Sequence, residues 1–214
     1  MTSLSCDHAS FLGTYTQYLD FLESNYFTIC KNQHVLEIGP LNGHHSKLIC
    51  KNHPSKFEVI ETNKSLVDTE LQQMSGIDNI IVDDALLALS NPHPCDVVVC
   101  CGVLYHLHSP IHLLELIVNY CQPKFIILDS VGKFNETGSY GNCWTDENVN
   151  QLGTRQVRPG FRFSGLKVMC NGDTFQLVMN KLGYNLMMSH DLQCSDFFPK
   201  HSSWIAMWQR KDTQ

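Results

Sequence analysis

The feature that most constrains this chain is a series of five short apolar runs separated by helical patterns. They read HVLEIG (34–39), KFEVIE (56–61), NIIVDD (79–84), DVVVCC (96–101) and KFIILD (124–129), most of them ending in or followed by an acid or a glycine. Near-continuous apolar runs of this length suit strands of a parallel sheet covered on both faces. Between them, residues 64–74 place Val67, Leu71 and Met74 on one helical face. SPIHLLELIVNYC offers Ser109 as a helix N-cap and Pro110 as the first helical residue. β–α units in this order imply a doubly wound sheet with right-handed crossovers.

The flanks fit the same frame. Phe11, Tyr15, Tyr18 and Leu22 recur at helical spacing, so an amphipathic helix is expected ahead of the first strand, packed on the core or closing over a ligand. After Asp129 the pattern changes. Residues 131–170 are rich in Gly, Asn, Thr and Arg with little periodicity, as functional loops often are. NGDTFQLVMNKLGY then reads as a helix stopped by Gly183, and YNLMMSHDL and SSWIAMWQR as two closing strands. The expected fold is a single α/β domain: a three-layer sandwich with a seven-stranded, mostly parallel sheet, an antiparallel last strand and an N-terminal helical cap.

Composition narrows the function classes. With 21 acidic and 15 basic residues the formal net charge is −6. Such a chain has no general affinity for phosphate, so nucleic-acid binding would need a local basic patch. No apolar run approaches the ~18 residues that span a bilayer. The N-terminus lacks the basic and apolar regions of a signal peptide. None of the ten cysteines forms a C-x-x-C pair, and Cys30, Cys50, Cys100, Cys101 and Cys121 lie in apolar or helical patterns. They read as reduced structural thiols in a cytoplasmic protein.

Candidate chemistry gathers where the runs end. The first closes on Glu37-Ile38-Gly39, and Gly43 follows after Pro40-Leu41-Asn42. Ligands of open α/β sheets bind at such strand ends. Leu41 stands where a G-x-G-x-x-G fingerprint has its middle glycine, which places a nicotinamide dehydrogenase far behind other readings. Glu61 closes the second run 22 residues after Gly39 and could accept both hydroxyls of a ribose. Asp83-Asp84-Ala85 closes the third. One aspartate is expected to face a ligand such as an adenine amine and the other to cap a helix; Asp84, beside the small Ala85, is the better ligand candidate. His44, His45, His106, His108 and His112 make a histidine-rich neighbourhood, but no acid or cysteine stands at a companion spacing, so no metal is expected. Arg155, Arg158 and Arg162, with Lys167 and the interleaved Phe161 and Phe163, suit an anionic acceptor or a stacked base. A solvated basic loop is the plain alternative.

Taken in register, these segments resemble class I S-adenosylmethionine-dependent methyltransferases of the type 11/12 kind. VLEIGPLNG resembles their first motif, VIETN the second, IVDDA the third and DVVVCCGVLYHL the fourth. The resemblance covers residues 33–130 and, more loosely, the last helix and two strands. GVLYHL followed by SP and HLL is similar in wording to transfer-RNA wobble-uridine carboxymethyltransferases and their small-methyltransferase relatives. Those enzymes carry an additional N-terminal region for which this chain is too short, so RNA ranks second as acceptor.

The resemblance implies S-adenosylmethionine as cofactor and S-adenosylhomocysteine as product. It implies Glu37, Gly39, Pro40 and Gly43 around the methionine part, Glu61 on the ribose with Thr62 beside it, Asp84 and Ala85 at the adenine, and Cys101 and Gly102 near the sulfonium. A sulfonium carries an activated methyl group, so the protein's task is mainly alignment. A base is needed only where the nucleophile must lose a proton, and His106 is the candidate. Tyr105 would orient substrate or pack on the cofactor. The domain then divides into a helical cap (1–32), a cofactor-binding core (33–130), a substrate-side insertion carrying Arg155, Arg158 and Arg162 (131–170), and the last helix and strand pair (171–214). The leading expectation is methyl transfer to a small acceptor, anionic if the arginines engage it. The alternatives are methyl or carboxymethyl transfer to RNA, and a non-catalytic S-adenosylmethionine-binding module.

Overall fold

The structure is a computed structural model that describes residues 10–12, 15–107, 109–131, 142–144, 167–169, 172–194 and 203–211. In chain order it contains β1 (Ser10–Leu12), α1 (Tyr15–Asn25), a 3-10 turn (Phe27–Cys30), β2 (His34–Ile38), α2 (His44–Lys51) and β3 (Lys56–Ile60). Helix α3 (Lys64–Leu66) widens into a π turn (Val67–Leu71); β4 (Asn79–Ile81), α4 (Ala85–Ala88) and β5 (Val97–Cys101) follow. After a 3-10 turn (Leu104–His106), α5 (Pro110–Leu116) widens into a second π turn (Ile117–Cys121) and leads to β6 (Phe125–Val131). The last elements are β7 (Asn142–Trp144), β8 (Lys167–Met169), α6 (Gly172–Lys181), β9 (Tyr184–Cys194) and β10 (Ser203–Arg210).

The main sheet runs β1-β9-β10-β6-β5-β2-β3-β4. Only β10 is antiparallel to its neighbours, β6 and β9. The expected seven strands are present, and β1 adds an eighth at the edge, parallel to β9. This corrects the reading of Phe11 as helical: Ser10–Leu12 pairs with Leu192–Cys194, and α1 begins only at Tyr15. An open sheet edge offers unpaired backbone groups, and satisfying them outweighs a helical side-chain pattern over three residues. Within 131–170, β7 and β8 form a separate antiparallel pair.

Side-chain alternation splits the core into two layers. Leu36, Ile38, Val98, Cys100, Ile126, Leu128, Trp204 and Trp208 face α5 and α6, where Leu113, Leu114, Phe175 and Met179 meet them. Val35, Phe57, Val59, Val97, Val99, Ile127 and Ile205 face the other way, toward Tyr18, Leu22, Phe27, Leu48, Ile49 and Leu71. Continuous apolar runs are what two covered faces demand. Local signals start the helices. The Asn63 side chain accepts the N–H groups of Ser65 and Leu66 at the head of α3, and Pro110 opens α5.

The amino ends of the strands carry a charged cluster. Glu58, in the middle of β3, accepts from His34 Nε2 at 2.6 Å and from Asn79 Nδ2 at 3.0 Å, and pairs with Lys56 Nζ at 2.9 Å. His93 Nε2 lies 3.3 Å from the same carboxylate. Among the described residues no helix is long and apolar enough to cross a membrane.

Candidate functional site at the carboxyl ends of the strands

Backbone hydrogen bonds tie the carboxyl ends of three adjacent strands together. Gly39 N–H donates to Ile60 O at 2.9 Å, and Glu61 N–H donates to Ile81 O at 3.0 Å. The loops carrying Glu37, Glu61 and Asp84 therefore emerge side by side. Gly39 and Gly43 both lie in the left-handed region, with φ of 70° and 71°. An added Cβ at Gly39 would run into Val103 Cγ2; at Gly43 it would meet Met74 Cε, the movable end of a long side chain, so there the backbone angle is the stronger constraint. Gly43 N–H donates to the carbonyl of the buried Pro40 at 2.8 Å, closing the turn before α2.

Glu61 is buried, yet among the described residues no cation pairs with its carboxylate. Oε2 accepts from Leu41 N–H at 3.1 Å and Oε1 from Asn63 N–H at 2.8 Å. A carboxylate has about four acceptor positions, so two backbone donors orient it and leave capacity for a diol. Thr62 beside it is exposed. Glu37 lies deeper, 2% exposed, and accepts from Ser46 Oγ at 2.6 Å. Burial pushes its carboxyl up to about 8; the Ser46 hydroxyl offsets this in part, and the Glu61 charge adds to the push. At neutral pH Glu37 is mostly a neutral acid.

Asp84, the expected ligand candidate, also carries the capping role. Asp84 is itself the cap of α4: Oδ1 accepts from Leu86 N–H at 2.8 Å. Asp83 accepts from Asp84 N–H at 2.8 Å. A residue directly before a helix reaches the free amides of its first turn, and its predecessor does not. Both acids are exposed, and Ala85 is half-buried.

At the fourth strand end, burial and the nearby Asp129 charge raise the Cys101 thiol well above its ordinary range. It is an inert, protonated wall. Gly102 follows with φ of 75°, and the Tyr105 hydroxyl folds back toward it. Burial, then the Asp129 charge, raises the Tyr105 phenol as well. His106 is exposed, its ring centroid 4.3 Å from that of Tyr105.

Asp129 is a residue that the sequence reading left out of the site. It accepts from Tyr18 Oη at 2.9 Å and from Gly102 N–H at 3.2 Å. Burial pushes its carboxyl up to about 6 against both donors. Its signal was available: it is the acid closing the fifth run. In sheet register Cys101, Asp129, Ile205 and His190 form one row. Above that row, Tyr18 holds Asp129, while Tyr26 Oη meets His190 Nδ1 at 2.7 Å and donates to Ile205 O at 3.2 Å. Helix α1 and the turn after it are thus fastened by two tyrosine hydroxyls beside the site.

His45 lies beneath α1, with Tyr18 and Phe27 ring centroids at 6.2 and 5.9 Å. Burial, then the His44 charge, holds its imidazole down at about 4, so it is neutral at physiological pH. Among the described residues no group of three His, Cys, Asp or Glu side chains is arranged to hold a metal ion. Arg155, Arg158, Arg162 and His108 lie outside the described residues.

No protein-family model matches the chain. No curated protein matches it either. Solved structures do. A magnesium protoporphyrin IX methyltransferase from Synechocystis, crystallised with S-adenosylhomocysteine, superposes with a TM-score of 0.64 at 13% identity, covering 92% of this chain and 84% of that one. The N-methyltransferase NodS from Bradyrhizobium japonicum gives 0.63 at 15% identity, over 92% and 96% of the two chains. A putative RNA methyltransferase from Pyrococcus horikoshii gives 0.60 at 10% identity, over 92% and 84%. At these identities the likeness establishes the fold, which is the class I methyltransferase fold.

Proposed function

We infer that the chain is an S-adenosylmethionine-dependent methyltransferase acting on a small, anionic acceptor. The observation that carries this reading is the joined set of strand ends. Two left-handed glycines, a neutral buried Glu37, a Glu61 carboxylate oriented by two backbone amides and the Asp84 cap all stand at one edge of a methyltransferase fold. These residues fit the cofactor. Glu61 would accept the ribose hydroxyls, Asp84 and Ala85 would border the adenine, and the Gly39–Gly43 backbone with Pro40 would pass along the methionine part. Cys101 and Gly102 would form the wall beside the sulfur.

The bound cofactor supplies a methyl group activated on a sulfonium. The chain's own residues align and shield the reaction. Asp129 holds the Gly102 amide and the Tyr18 hydroxyl, which keeps α1 closed against that wall. His106, exposed at the strand end, would take a proton from an acceptor that must lose one. Tyr105 would orient the acceptor, and Arg155, Arg158 and Arg162 would bind its charge.

RNA is the second reading. It draws support from the local similarity of residues 102–114 to the wobble-uridine carboxymethyltransferases and from the fold shared with the putative RNA methyltransferase from Pyrococcus horikoshii. The net charge of −6 weighs against it. Isothermal titration of S-adenosylmethionine against the wild type and Glu61→Ala tests the main reading. Binding that weakens at least ~10-fold in the variant supports it, and no wild-type binding sinks it. Assays with small-molecule and RNA extracts then separate the acceptors; binding without transfer to either points to a non-catalytic module.

A further inference from the structure

Backbone bonds lace the segment before β5 to the π turn that ends the helix before β6. His93 N–H donates to Tyr120 O at 2.9 Å, Cys95 N–H to Cys121 O at 3.1 Å and Lys124 N–H to Asp96 O at 2.8 Å. Cys95 therefore stands directly against Cys121. A bond of this kind keeps two Cα atoms roughly 5–6 Å apart, inside the ~4.4–6.8 Å that a disulfide spans. The side chains meet as well: the Cys95 thiol donates to the Cys121 sulfur. That bond, then burial, pushes the Cys95 thiol far above its ordinary range, and the charges of Asp96 and Glu58 add to the push. Both sulfurs also act on the phenol of the buried Tyr184, so they enter the same part of the core. Gln122 fixes the far side: its N–H closes the π turn on Ile117 O at 3.1 Å, and its φ of 50° ends the helix there. Access differs between the two thiols, since Cys121 is buried and Cys95 is half-buried. Cys100 and Cys101, neighbours in one strand, point to opposite faces and make no comparable pair with each other.

We propose that Cys95 and Cys121 are a reversible oxidation site, at which peroxide converts the facing thiols to a disulfide that braces the start of β5 against the end of the neighbouring helix. The Cys95 sulfur, the one that solvent reaches, attacks a peroxide oxygen and breaks the O–O bond, giving a sulfenic acid and one water. The Cys121 sulfur then displaces hydroxyl from that sulfenic acid, giving the S–S bond and a second water. The two thiols lose two electrons and two protons, and the peroxide takes up both. The thiolate is the nucleophile, so the raised Cys95 thiol makes the first step slow at neutral pH and faster in alkali. The second step is fast because the partner is already in contact. Closing the 95–121 loop restricts the unfolded chain and should raise the thermal midpoint by about 5–10 °C. The inference does not depend on the cofactor reading.

The test adds hydrogen peroxide stepwise to the folded wild type, Cys95→Ser and Cys121→Ser at mildly alkaline pH, alkylates the remaining thiols and digests without reductant. Cleavage before Asp96 and after Glu115 puts Cys95, the Cys100–Cys101 pair and Cys121 on separate peptides. The wild type should yield a Cys95–Cys121 cross-linked peptide that dithiothreitol splits. Its midpoint should fall by about 5–10 °C on the same treatment, which cleaves the disulfide and leaves oxidised methionines as they are. Neither variant should show the link or the shift, and the wild-type result decides even where a variant folds poorly. Alkylation of both sulfurs after peroxide, a Cys95 found as sulfinic acid, or a link from either sulfur to another cysteine overturns the inference. So does a link that forms only in urea, where the facing geometry is gone, or one that lowers the midpoint.

Discussion

Two buried glutamates on adjacent strands, one step apart in register and on opposite faces of the sheet, show how differently this fold treats a carboxylate. On one face, Glu58 is surrounded. Burial works against its charge, but Lys56, Asn79 and His34 hydrogen-bond to it and His93 adds its field, and together they hold the carboxyl down at about 2. Glu37, at the carboxyl end of β2, has one hydroxyl partner and is held up at about 8. The first arrangement stabilises the fold. The second opposes it, because an acid that ionises freely in the unfolded chain must take up a proton to be buried. A residue kept against its effect on stability points to function, and Glu37 stands with the glycine loop and Glu61.

The largest expected effect lies at Glu58. Glu58→Ala leaves His34 and Asn79 without their shared acceptor and Lys56 and His93 without their charged neighbour, and should destabilise the protein by about 3 to 4 kcal/mol in urea unfolding. Ligand affinity should change little. A stability loss below about 1 kcal/mol would break the comparison at its stabilising end.

Glu37→Gln should act with the opposite sign. It keeps an acceptor for Ser46 and removes the need for proton uptake, so stability at pH 7 should rise by about 2 to 3 kcal/mol. S-adenosylmethionine binding should weaken in the same variant. A variant that is less stable than the wild type at pH 7 would show that the carboxyl is not held neutral.

The pH dependence separates the two sites further. The folded pKa of Glu37, about 8, exceeds its unfolded value. Its destabilisation is therefore absent below the unfolded pKa, grows as pH rises and is complete above about 8. The stability gap between Glu37→Gln and the wild type should widen by about 1.4 kcal/mol per pH unit between roughly pH 5 and 7. For Glu58 the folded value is depressed, so its contribution is full above the unfolded pKa and is lost as pH falls through about 2. The gap between the wild type and Glu58→Ala should close on that side only. Parallel unfolding curves across pH would contradict both assignments.

The smallest effect sharpens the carboxyl end alone. Tyr18→Phe removes one of the two donors that hold Asp129 and should lower stability by about 1 kcal/mol. The Asp129 carboxyl should then titrate above its present value of about 6, because a donor that favours its charge is gone. Carbon-detected NMR of the aspartate carboxyls would register the shift, and an unchanged titration would mean that the hydroxyl does not reach it.

Much of this was legible in the chain. The five apolar runs became β2 to β6, and the acids and glycines at their ends did gather at one edge, because both signals are local. Other features were not legible. The Glu58 cluster joins residues 34, 56, 58, 79 and 93, and the Tyr18–Asp129 bond spans 111 positions. No periodicity links residues so far apart. Which aspartate caps α4 turned on a one-residue helix boundary, a detail that patterning rarely resolves.

The sequence by itself determined β2 to β6, β9 and β10 and the identity of the residues at the ends of the first five, since side-chain period and turn chemistry act over a few neighbours. Only the tertiary structure decided the state of those residues: that Glu37 is neutral, that Glu58 is firmly ionised, and that Leu41 holds a glycine's conformation. Charge and strain depend on what lies within a few ångströms in space, and folding, not sequence spacing, sets that distance.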